Sequence, residues 1–325
     1  MPFTTASFTT ASFTTAPFTT APFTKRRSVL LVTVPLLAAA LLAGCAANDT
    51  RAPTPAGSRS TAAAAPATAS FQQLEQHFGA RLGIDAVDTG TGREVTYHAD
   101  DRFAHASTYK ALAVGVLLSH ASEADLDKVV TYSSADLQKY APITSQHVAT
   151  GMPLRDLAAA AIQYSDNTAA NLVTDNLGGP AALQQALRAL GDPTTNVDRT
   201  EPTLNEATPG DTRDTSTPRA MATDLRRFVL GDALPGDRRQ LLTGWLLGNT
   251  TGAPYIRAGV AAGWKVGDKT GNGGYGTRND IAVVWPAGGG SPIVIAVLSD
   301  RGKADAASDD ALIAQATKAA LDALH

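Results

Sequence analysis

The stretch Ser107-Thr-Tyr-Lys-Ala-Leu-Ala-Val-Gly-Val-Leu-Leu118 opens with a serine and a lysine three residues apart and continues as an apolar run. The run at 111–118 predicts a buried helix. Residues three apart share a helical face, so Ser107 and Lys110 are expected side by side, where the lysine can activate the hydroxyl. A serine in the first turn also lies near free backbone N–H groups and the positive end of the helix dipole, which suits an oxyanion. Alone, the pair is more typical of a helix cap.

Three further motifs follow in order: Ser165-Asp-Asn167, Glu201-Pro-Thr-Leu-Asn205 and Lys269-Thr-Gly271. Each is weak alone, but their order and spacing together are specific. The set resembles the class A serine β-lactamases, from about Phe71 to the C terminus. The resemblance implies hydrolysis of the β-lactam amide of penicillins and cephalosporins through a serine acyl-enzyme, which confers resistance to these antibiotics. Activity on carbapenems and oxyimino-cephalosporins stays open.

The expected fold combines an antiparallel sheet with a helical domain. Sequence periodicity predicts strands at 81–88, 93–98, 280–285 and 292–299, and helices at 71–78 and 309–324. Since the middle of the chain is mainly helical, strands from both chain ends are expected to form one sheet. We expect a sheet domain from 71–103 and 249–325, flanked by helices and packed on an inserted helical domain, 104–248. The resemblance implies the same α/β plus all-α fold, of the β-lactamase and DD-peptidase type.

A long segment at 191–218, rich in Thr, Asp and Pro, contains the third motif. A carboxylate and a carboxamide four residues apart, Glu201 and Asn205, can hold one water between them, and Glu201 as a general base would make that water a nucleophile. Arg199 and Asp214 bracket Glu201 and match the family's loop-closing ion pair, in which a bidentate contact would fix both ends of the loop. The alternative for each residue is an exposed surface charge.

The fourth motif is expected on a Gly-rich edge strand along which a substrate can align. Lys269 brings positive charge, Thr270 offers a hydroxyl to a substrate carboxylate, and Gly271 allows the acyl group close to the backbone. The alternative is a solvated hairpin with ordinary turn glycines.

The resemblance implies a mechanism. Ser107 attacks the lactam carbonyl, and the backbone N–H groups of Ser107 and Asn272 stabilise the oxyanion. Either Lys110, or Glu201 through a water, accepts the proton of the hydroxyl, and both remain open. Ser165 then protonates the lactam nitrogen, and Glu201 activates the water that releases the product.

The resemblance also implies contacts to the substrate. Asn167 binds its side-chain amide, Arg278 faces its carboxylate, and Tyr140 is an aromatic gate beside it. For Tyr140, packing in the core is an alternative of similar weight. Asn272 stands where many family members have Ala, Ser or Thr, and its larger amide is expected to alter contacts to the substrate.

Composition and charge fit a globular enzyme without a surface for nucleic acid. The formal charge is 27 minus 30, or −3, and loss of residues 1–44 would remove three basic residues, giving 24 minus 30, or −6. The 6 histidines include no pair at zinc-motif spacing, so neither a metal nor another cofactor is expected. A small β-lactam is the expected partner, and the chain is expected to act as a monomer.

Residues 1–44 combine a low-complexity tract with a signal peptide. Repeats of Phe-Thr-Thr-Ala precede Lys25-Arg-Arg27 and an apolar run at 29–43, too short for a comfortable membrane span. The ending Leu42-Ala-Gly-Cys45 resembles a bacterial lipobox, which implies lipidation of Cys45. We expect export, a palmitate-type anchor at the outer face of the bacterial cell membrane, and a flexible tether at 45–70. A plain signal peptide with an incidental cysteine is the alternative, and the export route stays open.

Two other classes of protein share part of the pattern. A penicillin-binding DD-peptidase has similar Ser-x-x-Lys, Ser-x-Asn and Lys-Thr-Gly motifs but would stay acylated, and Glu201 with Asn205 argues against it. A solute-binding or β-lactam-sensing lipoprotein would explain export equally well, but it would not need Lys110 and Glu201.

Overall fold

The computed structural model of the chain describes residues 64–324. Its strands are Arg81–Asp88 (β1), Glu94–Tyr97 (β2), Phe103–Ala104 (β3), Val129–Val130 (β4), Met152–Pro153 (β5), Thr215–Ser216 (β6), Lys265–Asn272 (β7), Arg278–Trp285 (β8) and Ile293–Asp300 (β9). Its α-helices are Ala64–Phe78 (α1), Tyr109–His120 (α2), Glu123–Asp127 (α3), Leu154–Gln163 (α4), Asn167–Asn176 (α5), Pro180–Ala189 (α6), Pro218–Val229 (α7), Gly236–Leu247 (α8), Ile256–Gly259 (α9) and Ala311–Leu324 (α10).

The main sheet is antiparallel, with the strand order β2-β1-β9-β8-β7. Its first two strands come from the N-terminal part of the described chain and the other three from the C-terminal part. Successive side chains of a strand point to opposite faces. On β8, Ile281 and Val283 accordingly join one hydrophobic core, whereas Ala282 and Val284 join the other. Helices α1 and α10 cover one face and α7 packs on the other, which explains the nearly continuous apolar runs of β8 and β9.

Helix α2 lies at the centre of the helical core. All residues from Tyr109 to Leu118 are buried, as expected for a helix that is apolar all round. Gly115 permits a close contact on this helix, because a Cβ atom there would lie 2.7 Å from the ring of Phe228. The motif formed by Ser107 and Lys110 thus lies at the start of a tightly packed helix.

The expected fold class is confirmed, and the predicted strands agree with the observed ones within two residues at each end. The start of the first helix was placed wrongly. Helix α1 begins at Ala64 rather than 71, so the end of the stretch interpreted as a tether is helical. Ala67 and Phe71 are buried against the sheet, and this packing orders a segment whose composition alone favours flexibility. The limits of the two predicted domains stay predictions.

Cys45, the signal segment and the tether as far as residue 63 lie outside the described residues. Within 64–324, every helix is too short or too polar to span a bilayer.

Candidate active site

Ser107 lies in a tight 3₁₀ turn, Ala106–Thr108, that leads directly into α2. Ala106 has a φ of 45°, in the left-handed region that non-glycine residues rarely adopt. Such strained backbone persists only where the surroundings hold it, and it clusters at functional sites. The side chain of Ser107 donates a hydrogen bond of 2.9 Å to Glu201 Oε1.

Lys110 is buried one turn further along and has a full set of acceptors. Its ammonium group donates to Glu201 Oε1 at 2.9 Å, Ser165 O at 2.8 Å and Asn167 Oδ1 at 2.7 Å. Three acceptors match the three N–H groups of a charged lysine. Burial nevertheless lowers the pKa of Lys110, and the negative charge of Glu201 opposes that shift. Burial thus favours the neutral form of Lys110, which can accept a proton, whereas the contact with Glu201 favours the charged form.

Glu201 is fixed by two asparagines. Its backbone N–H donates to Asn171 Oδ1 at 2.9 Å, and its carbonyl oxygen accepts from Asn171 Nδ2 at 2.9 Å. Glu201 Oε2 accepts a hydrogen bond from Asn205 Nδ2. Asn205 Oδ1 is buried and accepts no bond from the described protein groups, so it is an acceptor open to a water molecule.

An ion pair closes the loop that carries Glu201. Arg199 Nε donates to Asp214 Oδ2 at 2.6 Å. The other oxygen, Asp214 Oδ1, accepts the backbone N–H groups of Asp198 at 2.8 Å and Arg199 at 3.0 Å. Arg199 also pairs with Glu206 within the loop. Because the Asp214 side chain is fully buried, this pair is not an exposed surface contact.

The second motif forms the loop between α4 and α5. Ser165 has a φ of 56°, which points its hydroxyl between two lysines, 3.4 Å from Lys110 Nζ and 3.0 Å from Lys269 Nζ. Asn167 starts α5 and donates from Nδ2 to Lys139 O at 2.9 Å. The backbone N–H of Asn167 donates to Tyr140 O at 3.0 Å.

Tyr140 is 58% exposed, so packing in the core is not its role. Its φ of 71° and its backbone contact with Asn167 place it at the rim of the site.

Asp166 holds the loop between α4 and α5 in place. It is fully buried, caps α5 through Ala169 N at 2.9 Å, and accepts bonds from Ile143 N at 3.0 Å and Thr144 N at 2.9 Å. We expect Asp166→Ala to lower the free energy of unfolding by about 3 kcal/mol, because it removes a cap and leaves buried donors unpaired. Urea denaturation would measure the loss.

Asp125→Ala is the matched control for Asp166→Ala. Asp125 also accepts from a backbone N–H, that of Ser122 at 2.9 Å, but it is exposed. Water can replace that bond, so a loss of about 1 kcal/mol is expected. Equal losses in the two variants would contradict the structural role of Asp166.

The fourth motif lies on β7, which is the edge strand of the sheet. Lys269 is fully buried and donates to Ser165 Oγ at 3.0 Å. The Thr270 and Thr251 hydroxyls are 2.6 Å apart. A Cβ on Gly271 would lie 2.9 Å from His105 O and 3.1 Å from Thr108 N. Gly271 therefore also allows β7 to approach the turn Ala106–Thr108, which we call the nucleophile turn. The sequence alone does not reveal this second reason for a glycine at position 271.

Burial and the nearby Lys110 charge lower the pKa of Lys269 to about 7. Lys269 is charged below this pH in the free enzyme and neutral above it. Attraction for a substrate carboxylate is thus expected to weaken as the pH rises through about 7, with kcat/KM falling at most about tenfold per pH unit. Measurement of kcat/KM between pH 5 and 9 would show this alkaline fall.

The variant Lys269→Arg tests whether the alkaline fall of kcat/KM belongs to Lys269, because a guanidinium stays charged over the whole pH range. The alkaline fall should move upward or disappear. An unchanged midpoint in Lys269→Arg would assign the fall to another group.

Asn272 and Arg278 face each other across β7 and β8. The phenol of Tyr255 donates to Asn272 Oδ1 at 2.8 Å, and Arg278 Nε donates to Asp310 Oδ1 at 3.0 Å. Both side chains are thus oriented by neighbours far along the chain. Asn272 itself is exposed at the end of the edge strand.

The structure joins six of the predicted residues in one chain of side-chain contacts: Glu201, Ser107, Lys110, Asn167, Ser165 and Lys269. Tyr140 contacts this group through the backbone of Asn167, whereas the side chains of Asn272 and Arg278 bond to Tyr255 and Asp310. Sequence reasoning missed Asn171, Thr251 and Tyr255, which orient Glu201, Thr270 and Asn272 respectively. Asn171 could have been found, because it lies one helical turn after Asn167 on α5. Within 64–324, no group of three or more His, Cys, Asp or Glu side chains is placed to bind a metal ion.

A buried serine that shares one carboxylate oxygen with a lysine, beside an edge strand with a Lys-Thr-Gly motif, defines a serine acyl-transfer site. The comparisons with known proteins agree. The sequence model described as the β-lactamase enzyme family matches residues 66–324. The chain belongs to this family, as a class A serine β-lactamase.

Several relatives are similar over most of their length. A β-lactamase of Bacillus licheniformis is 53% identical over 292 residues, which cover 90% of this chain and 94% of the relative. A β-lactamase of Amycolatopsis lactamdurans is 56% identical over 254 residues, covering 78% of this chain and 84% of the relative.

Solved structures give the same result. The crystal structure of a halotolerant bacterial β-lactamase matches with a TM-score of 0.78 at 54% identity, covering 78% of this chain and 98% of that one. The class A β-lactamase from Clostridium kluyveri matches with a TM-score of 0.77 at 48% identity, covering 78% and 97%.

Proposed function

We propose that the chain hydrolyses penicillins and cephalosporins through an acyl-enzyme on Ser107, with Glu201 as the base of deacylation. In acylation, Ser107 Oγ bonds to the lactam carbonyl carbon and the C–N bond breaks. The serine proton passes to Lys110 or, through a water, to Glu201; the lactam nitrogen receives a proton from Ser165, and the proton taken up by the base replaces it. In deacylation, Glu201 takes a proton from water, the water oxygen attacks the ester carbonyl carbon, the bond from that carbon to Ser107 Oγ breaks, and the proton on Glu201 passes to Ser107 Oγ.

The observation that carries the proposal is the shared oxygen Glu201 Oε1, which accepts from both Ser107 Oγ and Lys110 Nζ at 2.9 Å. A carboxylate at this distance from the nucleophile is close enough to activate a water that attacks the ester on the same serine. Asn205, bonded to the other carboxylate oxygen, supplies a second contact for that water.

Three groups support recognition of an anionic substrate. Lys269 on β7 and Arg278 on the neighbouring β8 bring positive charge, and Thr270 supplies a hydroxyl next to Lys269 along β7. The β-lactam carboxylate can bind there, which aligns the lactam ring along β7 toward Ser107.

The test is hydrolysis of a chromogenic cephalosporin and of benzylpenicillin by purified residues 64–325. Many turnovers per enzyme molecule are expected. A burst of one equivalent followed by no further release would show that deacylation fails, as in a penicillin-binding protein or a sensor.

We also propose that the mature chain is exported and anchored at the outer face of the bacterial cell membrane by a lipid on Cys45. The charged, apolar and small-residue order of 25–45 supports this proposal. Expression of the full chain in a bacterium should yield a membrane-associated enzyme whose N-terminal peptide carries a lipid mass. Cys45→Ser should release the protein, and an unmodified Cys45 would contradict the proposal.

A further inference from the structure

One buried residue, His105, contacts both ends of the loop that carries Glu201, one through its backbone and the other through its side chain. His105 has no exposed surface and lies two residues before Ser107. Its backbone N–H donates to Asp214 O at 3.1 Å, where the loop ends. Its ring Nε2 lies 2.9 Å from Asn196 O, where the loop begins. The nucleophile turn and both ends of the loop therefore meet at His105.

The surroundings keep the ring in this place. The imidazole packs against Tyr109, with ring centroids 5.5 Å apart. The loop ends are also bonded to each other, because Asn196 N–H donates to Thr215 O at 2.9 Å. A displacement of the ring would therefore move the start of the loop relative to α2.

Both ring nitrogens of His105 face carbonyl oxygens. Nδ1 lies 3.0 Å from Ala106 O, and Nε2 lies 2.9 Å from Asn196 O. A neutral imidazole has a single N–H, so it donates to one of the two. The contact with Ala106 is local, whereas the contact with Asn196 joins segments 91 residues apart. Of the two ring hydrogens, only one on Nε2 would bond the His105 side chain to the start of the loop.

We propose that His105 is a positioning residue for deacylation, which holds the start of the Glu201 loop against the nucleophile turn through its Nε2–H. Ser107 and Lys110 belong to one continuous helical segment, which sets their backbone positions relative to each other. Glu201 reaches Ser107 only through the loop. The inference rests on the proposed role of Glu201 in deacylation.

His105→Phe and His105→Gln form a matched pair for the test. Phenylalanine keeps a ring but removes the donor, whereas glutamine keeps an N–H near the position of Nε2. In His105→Phe we expect kcat to fall about 10- to 100-fold, since small misplacements of a catalytic group have effects of this size. KM should fall in proportion, so that kcat/KM, which reports acylation, changes less than about threefold. His105→Gln should restore most of kcat.

Intact-mass spectrometry during turnover would show the trapped acyl-enzyme directly in His105→Phe. Equal falls in kcat and kcat/KM, or no fall in kcat, would overturn the positioning role. If His105→Phe does not fold, the ring ¹⁵N–¹H spectrum of the unaltered chain decides: a proton on Nε2 is expected, and a proton on Nδ1 alone would overturn the inference.

Glu201→Gln separates this inference from the proposed function. If that variant turns over normally, the role of Glu201 fails and the His105 inference fails with it. If Glu201→Gln accumulates acyl-enzyme but His105→Phe does not, only the inference about His105 is wrong.

Discussion

Replacing Ser107 by alanine is expected to abolish turnover of penicillins and cephalosporins, with kcat lower by about 10⁶-fold. In the proposed mechanism the hydroxyl oxygen of Ser107 forms the acyl bond, and the structure shows this hydroxyl donating to Glu201 Oε1. Alanine leaves the ion pair between Lys110 and Glu201 intact, so the fold should be retained. Hydrolysis of a chromogenic cephalosporin, with intact-mass detection of acylation, would measure the effect.

Ser119→Ala is the matched control for Ser107→Ala. Ser119 lies on α2 as well and donates only to Val116 O at 2.7 Å within the helix. Its replacement should leave turnover unchanged. Turnover by Ser107→Ala within about 10²-fold of the unaltered chain, or an acyl adduct on another residue, would refute the nucleophile assignment.

The sheet could be predicted from the sequence because its signal is local. The strand at 81–88 carries apolar residues at alternate positions and is followed by turn residues, and β8 and β9 each contain a continuous apolar run. The convergence of the four motifs was predictable for a different reason. It followed from the resemblance to a family, because no local pattern places Lys269 beside Ser165 across 104 residues.

The contacts that orient the site could not be predicted, because each depends on tertiary packing. The left-handed conformations of Ala106 and Ser165 have no signal in residue type. The contact of His105 with Asn196 joins residues 91 apart, so it exists only once the loop is folded. Likewise, helix α1 begins early because Ala67 and Phe71 pack on the sheet.

Replacing Glu201 by glutamine is expected to trap the acyl-enzyme, with kcat lower by about 10²- to 10⁴-fold. Glutamine keeps the size of the side chain and can still contact Asn205, but it cannot accept a proton from water. Intact-mass spectrometry after mixing with benzylpenicillin should show one equivalent of adduct that decays slowly. Glu206→Gln is the matched control, since Glu206 lies in the same loop but is 53% exposed and pairs with Arg199, and it should turn over normally.

The rate at which the Glu201→Gln variant acylates decides which group is the base in the first step. The Glu201 charge raises the pKa of Lys110 against the lowering effect of burial, so its removal leaves a lysine that is more readily neutral. A neutral Lys110 can accept the serine proton, and a fast adduct in stopped-flow measurements would assign acylation to Lys110. An adduct that forms as slowly as it decays would assign both steps to Glu201. If Lys110 is the base of acylation, the double variant Glu201→Gln/Lys110→Met should form no adduct, because both candidate bases are then absent.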